Sequence, residues 1–223
     1  MKRRHKSFLI GLISWLSLSM LAGCSAAKSP GEKAFQYMEK AAQLESGFNA
    51  QQKPLIKEEQ NEQQLYQDIL ALDMKQFDQI QAKSKQALSS VAKRKQLMET
   101  EKKSMDQAAN IFKKAEPFVN QIKDKKQAVI GKKTIKDMND RYDSFNKLNT
   151  YYNQSLTADE SLFKLLQTKG VTVENLQKKL DEVNASYKKI DKEKDQFNTY
   201  TTSFNQDKKA FYKSMNISGE HSG

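Results

Sequence analysis

From Phe77 onward the apolar residues recur at alternating intervals of three and four without a change of phase. The series is Phe77, Ile80, Ser84, Ala87, Val91, Arg94, Met98, Glu101, Met105, Ala108, Phe112, Ala115, Val119 and Ile122. A mean period of 3.5 residues places every member on one stripe of a helix, the pattern of coiled-coil-like seams. Only Ser84, Arg94 and Glu101 break its apolar character, and polar members of a seam fix register or sit near helix ends. A second series runs Ile135, Met138, Tyr142, Phe145, Asn149, Tyr152, Leu156, Asp159, Phe163, Leu166. A third runs Val173, Leu176, Leu180, Val183, Tyr187, Ile190, Lys194, Phe197, Thr201, Phe204, Lys208, Phe211, Met215. Three long seams with few glycines and prolines between them predict an all-α fold, an elongated antiparallel bundle of long coiled-coil-like helices.

Stop and start signals fall between the series. Asp73 with Gln76 reads as a capping box, Gly131 with Thr134 and Asp137 as a stop and a start, and Lys169, Gly170 and Thr172 as another pair. Ahead of them, Ala34, Phe35, Met38, Ala42, Leu44 and Phe48 form one helical face, and Leu55, Leu65, Ile69 and Leu72 another after Pro54. The predicted helices lie near 32–53, 54–72, 74–130, 134–168 and 173–215, with a kink at Pro117, whose missing N–H removes one ladder bond. No strand pattern is present. The body is expected to be a single elongated helical domain over 32–215, followed by a flexible tail at 216–223.

Residues 1–23 do not belong to that body. The opening "MKRRHKS" holds four cations, not counting its histidine, and no acid; the apolar run Phe8 to Met20 follows. Thirteen residues of helix rise about 20 Å, short of a bilayer core of roughly 30 Å, so the segment reads as a cleaved secretory signal. It leads through Leu21, Ala22 and Gly23 into Cys24, the single cysteine of the chain. This L-A-G-C resembles a bacterial lipobox. The resemblance implies a diacylglyceryl group on the Cys24 sulfur, cleavage before Cys24, and acylation of the new amino terminus. Two or three acyl chains hold a protein durably on a bilayer, where one is marginal. Residues 24–31 then form a lipidated tether, and the protein is expected on the extracytoplasmic face of the cell membrane. The scarcity of arginine, four of 38 cations, and the wealth of asparagine point to an AT-rich, Gram-positive source.

Removal of the signal leaves 200 residues with 34 cations and 27 acids. His5 departs with the signal and His221 lies in the tail, so no histidine or cysteine falls within the folded body. Zinc, haem, iron–sulfur and copper sites, and imidazole-assisted nucleophiles, lack their usual ligands and bases. Glycine-rich nucleotide loops and the G-x-S-x-G elbow are absent as well. Acids such as Glu58, Glu59 and Glu62 recur at the spacing of a solvated helix face. The sequence therefore supplies no catalytic, cofactor-binding or metal residues.

Charge is unevenly placed. Residues 24–82 carry a net −3, residues 83–136 a net +10, and residues 137–223 none. The basic clusters are Lys93, Arg94 and Lys95; Lys102 and Lys103; Lys113 and Lys114; Lys123, Lys125 and Lys126; and Lys132, Lys133 and Lys136. One reading is a solvated face that partly complements the acidic first helices. The other is contact with a polyanion, and outside the membrane that means teichoic acid, peptidoglycan or anionic lipid headgroups. Nucleic acid fits the charge but not the compartment.

The lipobox at Cys24, the lysine-rich helical body and the opening helix "KAFQYMEKAA" together resemble the YkyA-type cell-wall-binding lipoproteins of Bacillus and its relatives. The resemblance implies a surface lipoprotein, and carries over only Cys24 and its lipobox as functional residues. The expected function is a non-enzymatic envelope protein that spaces, scaffolds or binds between membrane and wall. A wall-remodelling enzyme, or its accessory regulator, working through carboxylates is the alternative. A solute-binding lipoprotein needs two α/β lobes, for which no strand pattern exists.

Overall fold

A computed structural model describes residues 28–217. The signal stretch 1–23 with Leu21, Ala22 and Gly23, the lipidation residue Cys24, and the tail from 218 lie outside the described residues. Within them the fold is all-α, and no strand is present. The helices are α1 (Pro30–Leu44), α2 (Ser46–Leu70), α3 (Phe77–Phe112), α4 (Glu116–Val119), α5 (Lys125–Leu165) and α6 (Val173–Ser214).

The 3.5-residue seams account for which faces are covered. Every member of the first series from Phe77 to Val119 is buried, including Ser84, Arg94 and Glu101. In the second, Ile135 to Phe163 are all buried. The third is looser: Val173 is exposed, whereas Val183, Ile190, Phe197, Phe204 and Phe211 are buried.

Several boundaries differ from the sequence reading, each for a physical reason. The first break falls at Glu45, not at Pro54, which lies inside α2. Buried Phe48 and Leu55 fix the helix face on either side of Pro54, and this packing outweighs the lost ladder bond. At Glu45 the ladder is opened by a side chain from α3. The Ser104 hydroxyl donates to the Leu44 carbonyl at 2.6 Å and accepts the Phe48 N–H at 3.0 Å, standing between two groups that would bond each other in a continuous helix.

The predicted helix over 74–130 is likewise two helices. It stops at Phe112, passes through a 3-10 turn at Lys113–Ala115 and short α4, and α5 starts at Lys125. Pro117 sits in the first turn of α4, and Phe112, Ala115 and Glu116 keep right-handed helical dihedrals, so its missing N–H is met by a 3-10 turn within a continuing helical path and the break comes only after Val119. Asp124 supplies the overlooked start signal, its carboxylate accepting the Gln127 N–H at 2.8 Å. Gly131 is not a stop. It lies buried within α5, where a Cβ would come within 2.9 Å of Val119 and 2.8 Å of the Phe211 ring. The Asp73–Gln76 capping box is present as read, and Gly170 adopts φ +76° in the turn before α6, where Thr172 accepts the Asn175 N–H.

The described chain divides into two units. Unit one is Ala50–Lys102 with Phe145–Asp195; unit two is 28–49, Lys103–Ser144 and 196–217. In unit one, α2 and α3 run antiparallel, as pairing of Asp68 with Lys83 and of Glu58 with Lys93 requires. Its core gathers Leu55, Ile69, Ile80, Val91, Met98, Tyr152, Leu156, Phe163, Val183 and Ile190. In unit two, α1 lies antiparallel to α6. Phe35 meets Tyr212 edge to face at 4.7 Å, and the Tyr212 hydroxyl donates to Glu39 at 2.8 Å.

Candidate polyanion interface

Lysine and arginine part company in this chain. Arg94 and Arg141, the two arginines beyond residue 23, are each 1% exposed. Arg94 therefore leaves the set of surface cations in which the sequence places it. The planar guanidinium offers five donors and is less strongly hydrated than an ammonium, which suits it to burial among carboxylates.

In unit one, Arg94 Nη1 donates to Glu62 at 2.5 Å and to Asp159 at 3.2 Å, Nε to the Tyr152 hydroxyl at 2.9 Å, and Nη2 to the Tyr187 hydroxyl at 3.0 Å. The Tyr187 hydroxyl in turn donates to Asp159 at 2.7 Å, and Tyr152 donates to Glu59 at 2.5 Å. Burial opposes the charge on Arg94. Glu62, the two tyrosines and Asp159 overcome it and hold its pKa well above the ordinary guanidinium value.

Unit two repeats the device. Arg141 forms a fork on Glu45 at 2.7 and 2.8 Å, and its Nε donates to Thr201 at 2.9 Å. The guanidinium also lies 4.9 Å from the Phe197 ring centroid. Arg141 is absent from the candidates read in the sequence, although an arginine among so many lysines, next to seam residue Tyr142, was its available signal.

Most of the buried carboxylates are thus engaged. Glu62 and Asp159 serve Arg94, Glu45 serves Arg141, and Glu39 accepts from Tyr212 and Lys208. Glu101 accepts from Gln52 at 2.7 Å; desolvation, helped by the nearby Glu59 charge, pushes its pKa well above the carboxylate range. Hydrogen bonds and ion pairs placed in this way hold helices together. Among the described residues, no group of three or more His, Cys, Asp or Glu is placed to hold a metal ion.

The remaining candidates are on the surface. Lys93, Lys95 and Lys103 on α3 are exposed and Lys102 is half-buried. Lys113 and Lys114 lie in the 3-10 turn, Lys123 in the link after α4, and Lys125, Lys126, Lys132 and Lys133 on α5, all exposed. Their surroundings separate them. In unit one the acids of α2 answer the basic helix, Glu58 holding Lys93 at 3.4 Å, Asp68 holding Lys83 at 2.8 Å and Glu62 holding Arg94, and the described residues of that unit net only +2. Unit two holds 16 cations against 10 acids. Lys133 is paired there with Asp137 and Asp207, and Lys136 with Asp140. Among the described residues, no carboxylate pairs with Lys103, Lys113, Lys114, Lys123, Lys125, Lys126 or Lys132. The sequence locates the basic segment, and the fold decides which half of it stays uncompensated.

Comparison with known proteins places these features in a family. The YkyA family, described as "Putative cell-wall binding lipoprotein", matches residues 29–214. A Bacillus subtilis (strain 168) protein named "Uncharacterized lipoprotein YkyA" is 30% identical over 210 residues, covering 94% of this chain and 93% of that protein. A crystal structure of a conserved Staphylococcus aureus protein of unknown function superposes with a TM-score of 0.63 at 14% identity, over 85% of this chain and 98% of that one, a likeness of fold alone.

Proposed function

Because the chain belongs to the YkyA family of lipoproteins, we propose that it is a non-enzymatic envelope protein, anchored by acylated Cys24, whose unit two binds anionic cell-wall polymer. A lipoprotein family implies membrane anchoring on the extracytoplasmic side, and among the described residues no helix is long and apolar enough to cross a membrane. Lipid on Cys24 supplies that anchor, with Leu21, Ala22 and Gly23 as the processing signal.

The observation that carries polymer binding is the uncompensated charge of unit two. Lys103, Lys113 and Lys114 form its flank, exposed and without a carboxylate partner among the described residues. The phosphates of teichoic acid match such lysines, and binding by counterion release weakens as salt rises. Against an enzymatic reading stands the engagement of Glu62, Glu45, Glu39 and Glu101 by arginine, lysine, tyrosine and glutamine partners.

The test uses the mature chain and purified teichoic acid. Changing Lys103, Lys113 and Lys114 to Gln should weaken binding at low salt at least tenfold, while helicity survives because glutamine is also a good helix former. The same change at Lys178, Lys188 and Lys192 in unit one is the comparison, and equal loss in both variants would refute the assignment. In cells, Cys24→Ala should abolish acyl labelling and membrane retention.

A further inference from the structure

Three stretches of chain converge at one end of unit two. The first turn of α1 packs on the end of α6, with Gly31 against the Met215 side chain so closely that a Cβ would not fit. The first turn of α5 meets the same end, Gln127 donating to the Ser214 carbonyl at 2.8 Å. Short α4 closes the group through Phe118, whose ring stacks on Tyr37 of α1 at 5.7 Å and lies under the Lys33 ammonium at 5.5 Å.

This convergence assembles lysines that are scattered in sequence. Lys28 comes from just before α1 and Lys33 from its first turn, Lys123 from the link before α5, Lys125 and Lys126 from the start of α5, and Lys213 from the end of α6; all six are exposed. The acids on these stretches are Glu32, engaged with the Ser29 N–H at 2.7 Å, Asp124, engaged with the Gln127 N–H at 2.8 Å, and exposed Glu116 at the start of α4. Val129, 68% exposed, stands one turn beyond Lys125 and Lys126 on the same face of α5. A hydrated polymer offers such an apolar side chain nothing, whereas the headgroup region of a bilayer accepts lysines and an apolar residue together.

We propose that this end of unit two docks on the anionic phospholipid surface of the membrane, its lysines resting among the headgroup phosphates. The inference rests on the Cys24 anchor for its setting. Lys28 lies four residues beyond Cys24, and a fully extended chain of that length spans about 14 Å, so an acylated Cys24 holds the lysine-bearing end close to the headgroups. Anionic leaflets attract basic groups within about a Debye length, roughly 8 Å at physiological salt. The flank lysines lie farther back from that end: Ser104, next to Lys103, bonds the Leu44 carbonyl at the opposite end of α1, and Phe112, just before Lys113, meets Phe204 at 5.8 Å, ten residues or about 15 Å of helix before Ser214, although the turn carrying Lys113 and Lys114 packs on α1 and α4. End and flank thus address different anions.

The experiment uses the mature chain with Cys24→Ser, so that no acyl chain contributes, and vesicles of phosphatidylcholine with and without phosphatidylglycerol. The protein should bind the phosphatidylglycerol vesicles, weaken with added salt, and ignore pure phosphatidylcholine. A lysine near an anionic surface contributes about fivefold in binding, so changing Lys123, Lys125 and Lys126 to Gln should reduce it about 100-fold. Changing Lys103, Lys113 and Lys114 to Gln should alter vesicle binding less than about threefold while still weakening teichoic acid binding. Circular dichroism confirms that both variants keep the parent helicity. Equal loss from both triples, tight binding to pure phosphatidylcholine, or no binding to phosphatidylglycerol vesicles at low salt would each overturn the proposal. Failure of the flank triple to affect polymer binding would instead strike the wall-binding reading, and unchanged acyl labelling in Cys24→Ala the anchor.

Discussion

Replacing Arg94 by Met removes the guanidinium of unit one while keeping much of its apolar stem. Glu62 loses its 2.5 Å partner and Asp159 its 3.2 Å one, and their side chains are 2% and 0% exposed. Asp159 retains the Tyr187 hydroxyl at 2.7 Å, so the larger loss falls on Glu62, whose contact with the guanidinium is the shorter. Breaking a buried ion pair from one side costs about 3–5 kcal/mol, a large share of a total stability of about 5–15 kcal/mol. The pH dependence identifies the cause. An orphaned buried carboxylate has its folded pKa raised above its unfolded value, so it weakens the variant as pH rises above about 4.3, by up to about 1.4 kcal/mol per unit. As pH falls through that value the carboxylates become protonated in both states, and the gap to the parent narrows. Urea denaturation of both proteins at pH 4 and pH 7.5 measures this. A further variant with Glu62→Leu and Asp159→Leu should regain at least half of the loss, because an apolar replacement of a whole buried network is close to neutral. A deficit below about 1 kcal/mol, or one that does not change with pH, would show that Arg94 contributes packing and not charge compensation.

Glu101→Gln should stabilise the protein at pH 7.5. Desolvation raises the folded pKa of Glu101, so the parent loses stability as pH rises above about 4.3, while glutamine keeps the acceptor for Gln52 without titrating; denaturation midpoints should coincide near pH 4, and a less stable variant at pH 7.5 would contradict the assignment. Gly131→Ala sets two effects against each other. Helix propensity favours alanine by about 1 kcal/mol, but its Cβ would meet Phe211 and Val119 at 2.8 and 2.9 Å, an overpacking that costs about 1–3 kcal/mol, so thermal unfolding should show a lower midpoint.

The repeat of 3.5 residues was enough to establish helices and which of their faces are covered, because one-sided burial is a local consequence of periodicity. It marked Phe77 to Val119 and Ile135 to Phe163 without error. Capping at Asp73 and Thr172 was legible for the same reason, since donor and acceptor lie within three residues. Breaks made by distant residues were not. Ser104 opens the ladder at Leu44 from sixty residues away, and Gly131 reads as a terminator until Phe211 is seen to occupy the space of its missing side chain. The candidate site divides along the same line. Composition and charge runs pointed to lysine-rich residues 83–136, yet Arg94 belonged to both the seam and the cationic run, and only the packing of Glu62 and Asp159 around it assigned it to the interior. Nor does the sequence join Lys28, Lys125 and Lys213, which become neighbouring features when α1, α5 and α6 meet at one end of unit two. Periodicity and capping act over a few residues and are written in the chain. Compensation of charge depends on which helices pack together, and that is settled by the tertiary fold.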